Sequence, residues 1–149
     1  MIETNRMPTV VAWLGYGGLL PFLGLAVLSA IEPTHEFIYQ GALLAYGAII
    51  LSFVGALHWG FAMASPAMRP QQRAYTYTWS VVPALIAWLA YFLTIQVSAV
   101  VIVFGFIAQY LMDQRMVRQI QLPVWYLPLR LRLTVVACVS IMIGVSSIF

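Results

Sequence analysis

The chain has 149 residues, a length that suits one domain; 63% of them are hydrophobic and only 7% charged, where a soluble domain carries roughly a quarter. With a mean hydropathy of +0.94 it cannot cover itself with a solvated surface, so a soluble globular domain is excluded. The lone Cys138 has no partner, which excludes a disulfide and a cysteine-based metal site within one chain.

Apolar runs of about 20 residues, enough to cross a hydrocarbon layer about 30 Å thick, recur along the sequence. Arg6 precedes the first, at about 9–31, which carries Trp13 and Tyr16 near its start and Pro21 after Gly17 and Gly18, where a local kink is expected. Its apolar core is too long for a cleaved signal peptide, and no small-residue cleavage pattern follows. The stretch "EPTHE" ends it and makes that side acidic through Glu32 and Glu36. The second run, 37–64, ends at "SPAMRPQQR", with Arg69 and Arg73. Tyr75, Tyr77 and Trp79 lead into a third at about 79–93, with Pro83 as a second kink; only "TIQ" separates it from the fourth, 97–112, so a tight hairpin is expected. The segment 113–132 mixes Arg115, Arg118, Arg130 and Arg132 with Leu, Trp125, Tyr126 and two prolines. It reads as a short extension of the fourth span followed by a bend along the lipid headgroups. The fifth run is 133–148. Lipid cannot satisfy open backbone groups and no strand-like alternation is present, so the expected fold is an all-α bundle of five transmembrane helices forming one domain over residues 1–149.

Charge placement supports that count. All seven basic residues are arginine, and with five spans every one of them, Arg6, Arg69, Arg73, Arg115, Arg118, Arg130 and Arg132, falls on one side. The positive-inside bias then puts the N-terminus in the cytoplasm and the C-terminus outside. Arginines so placed act as topological anchors with some attraction to anionic lipid. The pI near 9.3 is thus no nucleic-acid signal, since no run resembles a basic recognition helix.

The second span has two unlike faces. Ser52, Ala56, Gly60 and Ala64 recur every four residues and form a groove for another helix, because small residues let backbones approach where lipid removes the hydrophobic incentive. His58 lies about 200° round from Ala56, beside Gly47, Gly55, Ala62, Leu51 and Val54. Room on both sides suggests a central helix touching protein in two directions, with His58 buried in protein.

Polar groups collect at the depth of His58: Ser80, Gln109 and Tyr110, with Asp113 sharing the Gln109 face four residues on, and Thr134 with Arg130 and Arg132 at the start of the fifth span. Two readings of this cluster compete. In one, His58 bonds a neighbouring helix while Asp113 pairs with Arg130 or Arg132 and closes the bundle. In the other, His58, Gln109 and Asp113 hold the polar end of a quinone or lipid, with Trp59 and Tyr110 against its ring or tail, since an ionisable residue inside a span is a functional hypothesis by default. A haem is disfavoured, because His35 is 23 residues from His58, roughly 35 Å along a helix, and cannot reach the same iron. Carboxylates, histidines and cysteines are too few for a zinc or two-metal site, and no serine stands in a nucleophile elbow.

"YGAIILSFVGALHWGFAM" (46–63), "WSVVPALIAW" (79–88) and "WYLPLRLRLT" (125–134) resemble a family of small multi-pass membrane proteins of proteobacteria, with a relative in the mitochondrial inner membrane of animals. Gly55, His58, Trp59 and Gly60 are the most specific part of the resemblance. The family is one of unknown function, so the resemblance implies a fold and a location but no reaction, cofactor or substrate. Together with the absence of a long Arg- and Ser-rich leader, it points to a bacterial inner membrane.

The leading expectation is a non-catalytic accessory or assembly-type protein, with no catalytic residue, acting through helix contacts with other membrane subunits or with itself. No cofactor is expected. A quinone- or lipid-binding site or enzyme is the alternative. A transporter or channel ranks third, because five spans cannot form a complete pair of equal inverted repeats.

Overall fold

The computed structural model describes residues 5–146. They form six α-helices and, among the described residues, no strand: α1 (Thr9–Gly17), α2 (Leu20–Ile31), α3 (Glu36–Ala64), α4 (Pro70–Ala90), α5 (Ile95–Gln119) and α6 (Tyr126–Val145), with a 3-10 turn at Pro33–His35 before α3. Four stretches are long and apolar enough to cross a membrane: Thr9–Ile31, taken through the α1–α2 break, Pro33–Ala64, Ile95–Gln119 and Tyr126–Val145. α4, at 21 residues, is long enough, but its polar first turns keep it out of that set.

Several helices begin or end away from the expected limits, for one physical reason. A polar residue at the edge of an apolar run does not stop a helix if it faces protein. α4 starts at Pro70 rather than near 79, since proline is preorganised for a first turn and Gln72 Oε1 accepts the Arg69 backbone N–H at 3.2 Å. Thr76, Ser80, Pro83, Ala87 and Ala90 then form its buried stripe, continuous through Pro83. α5 runs on to Gln119, where a short extension of the fourth span was expected, with Asp113 and Met116 facing inward. α6 starts at Tyr126, not 133, with Tyr126, Leu129, Arg130 and Thr134 inward and Pro128 tolerated in the first turn. The segment 113–132 is therefore mostly helix, and only 120–125 is not. The expected end of the fifth span, 147–148, lies outside the described residues.

The kink at Pro21 is a full break. Helix stops at Gly17 and restarts at Leu20, and the Gly18 carbonyl is capped by the Tyr46 hydroxyl at 2.8 Å, which satisfies a backbone group that lipid could not.

Neighbouring helices alternate in direction. Gly55 meets Pro83 and Trp59 meets Tyr77, so α3 and α4 are antiparallel. Trp79 to Gln109 and Tyr75 to Met112 make α4 and α5 antiparallel, and Asp113 to Arg130 with Gly47 between Ile102 and Ile141 does the same for α5 and α6. Gly15 faces Leu129 and Leu133 while Ala26 faces Gly144, so α1–α2 runs parallel to α6. The start of α1, the α3–α4 loop and the α5–α6 connection thus share one end of the bundle, with the arginines; Glu32 and Glu36 are at the other.

α3 is central, touching α2, α4, α5 and α6. Its inner face meets the core of Phe22, Leu43, Leu51, Ile102, Phe106 and Ile141. Glycines set the closest approaches. A Cβ at Gly55 would lie 2.7 Å from Pro83 Cγ, one at Gly105 2.6 Å from Leu51 Cδ2, and one at Gly144 would strike Leu43 and the Ala26 backbone. The opposite face of α3 is not covered by this chain. Ala56, Gly60 and Ala64 are exposed, Ser52 is half-buried with its hydroxyl turned back to the Ala48 carbonyl at 2.8 Å, and nothing lies within 4 Å of a Cβ built at Gly60. Within one chain, the contacts of α3 leave that face open.

Candidate functional site

Two helices bring His58, Gln109 and Asp113 to one point, each with no exposed surface. α3 presents His58 between Val54 and Ala62 on its buried face; α5 presents Gln109 and Asp113 four residues apart on its own. The remaining partners come from α4 and α6.

The hydrogen bonds orient every group. The Trp79 indole N–H can only donate, so the Gln109 amide oxygen, 2.9 Å away, must face it. The amide nitrogen then faces three acceptors: the Val54 carbonyl at 3.2 Å, His58 Nδ1 at 3.0 Å and Asp113 Oδ1 at 3.2 Å. His58 Nδ1 must accept there, which makes the ring the neutral tautomer with its proton on Nε2. That nitrogen lies 3.7 Å from Asp113 Oδ1, beyond hydrogen-bond length. Asp113 is held further by the Tyr126 hydroxyl at 3.2 Å and, on its other oxygen, by Arg130 Nε at 2.7 Å. His58 and Tyr126 both stack edge-on against Phe61, which closes the cluster toward the α3 C-terminus.

Of the five residues grouped from the sequence, the structure joins three. Trp59 is half exposed and packs on Tyr77, and Tyr110 is half-buried, with neither hydrogen-bonded to the cluster. Asp113 takes Arg130 rather than Arg132, whose Nη1 donates instead to the Tyr16 hydroxyl at 3.1 Å. Trp79 and Tyr126 are further members of the cluster that sequence reasoning missed. The signal for Tyr126 was its spacing of four before Arg130, which puts both on one helix face; for Trp79 it was the stripe shared with Thr76, Ser80 and Pro83.

Among the other arginines, Arg73 donates to the Ser65 carbonyl at 2.9 Å, capping the end of α3, while Arg6, Arg69, Arg115, Arg118 and Arg132 are exposed. Arg130 alone among the seven is buried. No group of three or more metal-ligating side chains occurs among the described residues. The other end of the bundle holds a second cluster, exposed at Glu32 and His35 and buried at Gln40. His35 Nδ1 is 2.9 Å from Glu32 Oε1, Tyr39 donates to Glu32 Oε2 at 2.7 Å and Gln40 donates to Glu36 at 2.7 Å. Tyr39's hydroxyl, helped by His35, holds the Glu32 carboxyl below its ordinary value.

Residues 7–146 match a family described as "Protein of unknown function (DUF3429)". The chain is also similar to Transmembrane protein 69 of Xenopus tropicalis, 37% identical over 138 residues that cover 90% of this chain and 53% of the relative. To Transmembrane protein 69 of Mus musculus it is 24% identical over 137 residues, covering 91% and 55%. The chain spans about half the length of the curated relatives it matches. No solved structure matches it.

Proposed function

The chain belongs to that family of membrane proteins of unknown function, and on that footing we propose that it is a non-catalytic accessory or assembly-type protein of the bacterial inner membrane, acting through contacts with other transmembrane helices. The observation that carries this reading is the uncovered small-residue face of α3. Ala56, Gly60 and Ala64 lie open, and toward the other end of the helix the same side continues through Gly41 and Ala45 beside a cleft of about 200 Å³ against Ala87 and Ala90 of α4. In lipid, helices associate by close packing, and a ladder of small residues is the surface another helix can approach. The polar cluster is compatible with the same reading, since Gln109 and Asp113 spend their hydrogen bonds within the bundle, on His58, Trp79, Val54, Tyr126 and Arg130.

In this reading α4 also crosses the membrane, as the third of five spans, and the arginine-bearing end faces the cytoplasm. The alternation of helix directions supports it, and reporter fusions after residues 67 and 122 are expected on the cytoplasmic side, with a fusion after residue 149 opposite. A fusion at 149 reporting the same side as one at 67 would remove the topology.

The docking face is tested by Gly60→Leu and Ala56→Leu. Because nothing occupies the space outside Gly60, the variants are expected to insert and melt like wild type while losing in-membrane crosslinks from a cysteine at position 64. Self-crosslinking would identify a second copy as the occupant, and crosslinking to another protein a partner subunit. Wild type that yields no crosslink in native membranes would defeat the proposal.

A further inference from the structure

We infer a second site that adjoins the polar cluster and shares Arg130 and Tyr126 with it: a cleft between α1–α2, α3 and α6 built to take the carbonyl end and tail of an uncharged amphiphile. It originates in the Gly17–Gly18–Pro21 break. α2 packs on both α3 and α6, whereas beyond the break α1 touches only α6 to any extent. The space left is a cleft of about 410 Å³, within the roughly 300–1,000 Å³ of small-molecule sites. Its walls are almost wholly apolar, with Leu14, Phe22, Phe53, Leu57 and Leu133 among them.

Two polar side chains of α6 line it, Arg130 and Thr134, four residues apart on one helix face. Both are 6% exposed, and Arg130 Nη2 and Thr134 Oγ1 have no hydrogen-bond partner among the described residues. A threonine within a helix ordinarily turns its hydroxyl back to the carbonyl four residues earlier, as Thr76 and Thr78 do here, but Thr134 does not. Donors left unmatched against an apolar wall call for an acceptor brought by a ligand.

Charge selects the kind of acceptor. Arg130 is already neutralised by Asp113 at 2.7 Å, so an anionic head would bury an unbalanced charge, whereas a carbonyl oxygen would accept from Nη2 and Oγ1 at no such cost. A prenyl quinone and the ester region of a glycerolipid both offer that oxygen on a long apolar tail. His58, Gln109 and Asp113 do not line the cleft.

Trp125 lies in the cleft wall and reports on its contents. Purified full-length protein in detergent is titrated with a decyl-substituted benzoquinone and, separately, with phosphatidylcholine bearing brominated acyl chains, both of which quench indole fluorescence. Saturable quenching by one probe is expected, and which one identifies the source of the carbonyl. The saturable part should vanish in Trp125→Phe, and in Thr134→Val the midpoint should shift about tenfold, the worth of one hydrogen bond. Thr134→Val without ligand should melt no lower than wild type, since it removes an unmatched hydroxyl. Val11→Phe, which narrows the cleft from α1 away from the polar cluster, should also abolish saturation. Quenching by neither probe, or unchanged affinity in both Thr134→Val and Val11→Phe, would overturn the site.

Discussion

Each end of the bundle holds a carboxylate with a tyrosine hydroxyl and a basic side chain, yet the two trios live in different solvents. Asp113 with Tyr126 and Arg130 is buried, the carboxylate wholly so. Glu32 with Tyr39 and His35 has side chains 43% and 51% exposed at Glu32 and His35. The distances are alike, 2.7 Å for the shortest bond at each end. What differs is the alternative open to each group if a partner is lost. Water can replace a partner of Glu32, but nothing replaces one of Asp113, so the same geometry should matter at one end and scarcely at the other.

The largest effect should come from stranding a buried charge. Asp113→Ala leaves Arg130 unpaired and is expected to cost about 3–5 kcal/mol, seen as a sharply lowered thermal midpoint in detergent. Asp113→Ala combined with Arg130→Leu should recover part of that loss, and a double variant as unstable as the sum of the singles would contradict the pairing. Gln109→Leu strips acceptors and donors from Trp79, Val54 and His58 together and should cost about 1–3 kcal/mol. Trp79→Phe removes a single bond to Gln109, and about 1 kcal/mol is expected.

Glu32→Gln should leave the midpoint unmoved, in contrast to every change at Asp113. Because the folded Glu32 carboxyl sits below its ordinary 4.5, what it contributes is present above that value and fades as pH falls through the lowered one. Amide protection over 32–40, taken relative to the intrinsic exchange rate at each pH, should therefore fall on acidification while that of α5 and α6 holds. Equal loss of protection at both ends would mean that the buried trio is wetter than its geometry implies.

Much of this architecture was legible in the residues. The apolar runs, the arginine partition and the His58, Gln109 and Asp113 depth all follow from counting along helices of known rise. The pairing of Asp113 with Arg130 was one of two options, and a spacing of four from Tyr126 and Thr134 on the same face distinguishes Arg130 from Arg132. Helix limits were less legible. Hydropathy reports where a segment would sit in lipid, whereas α4, α5 and α6 extend past their apolar runs because Thr76, Asp113 and Arg130 are satisfied by protein.

The sequence by itself determined that the chain is helical, that it belongs in lipid and which side chains could not face lipid alone, because the cost of an unmatched backbone or charged group there is large and local. Only the tertiary structure decided which of those groups found one another. It left the Ala56–Gly60 face of α3 bare, and it opened a cleft beside Arg130 and Thr134 through a break whose direction no single helix encodes. Those outcomes depend on how six helices share space, where contact energies are individually small and the close approaches at Gly55, Gly105 and Gly144 select among the arrangements that remain.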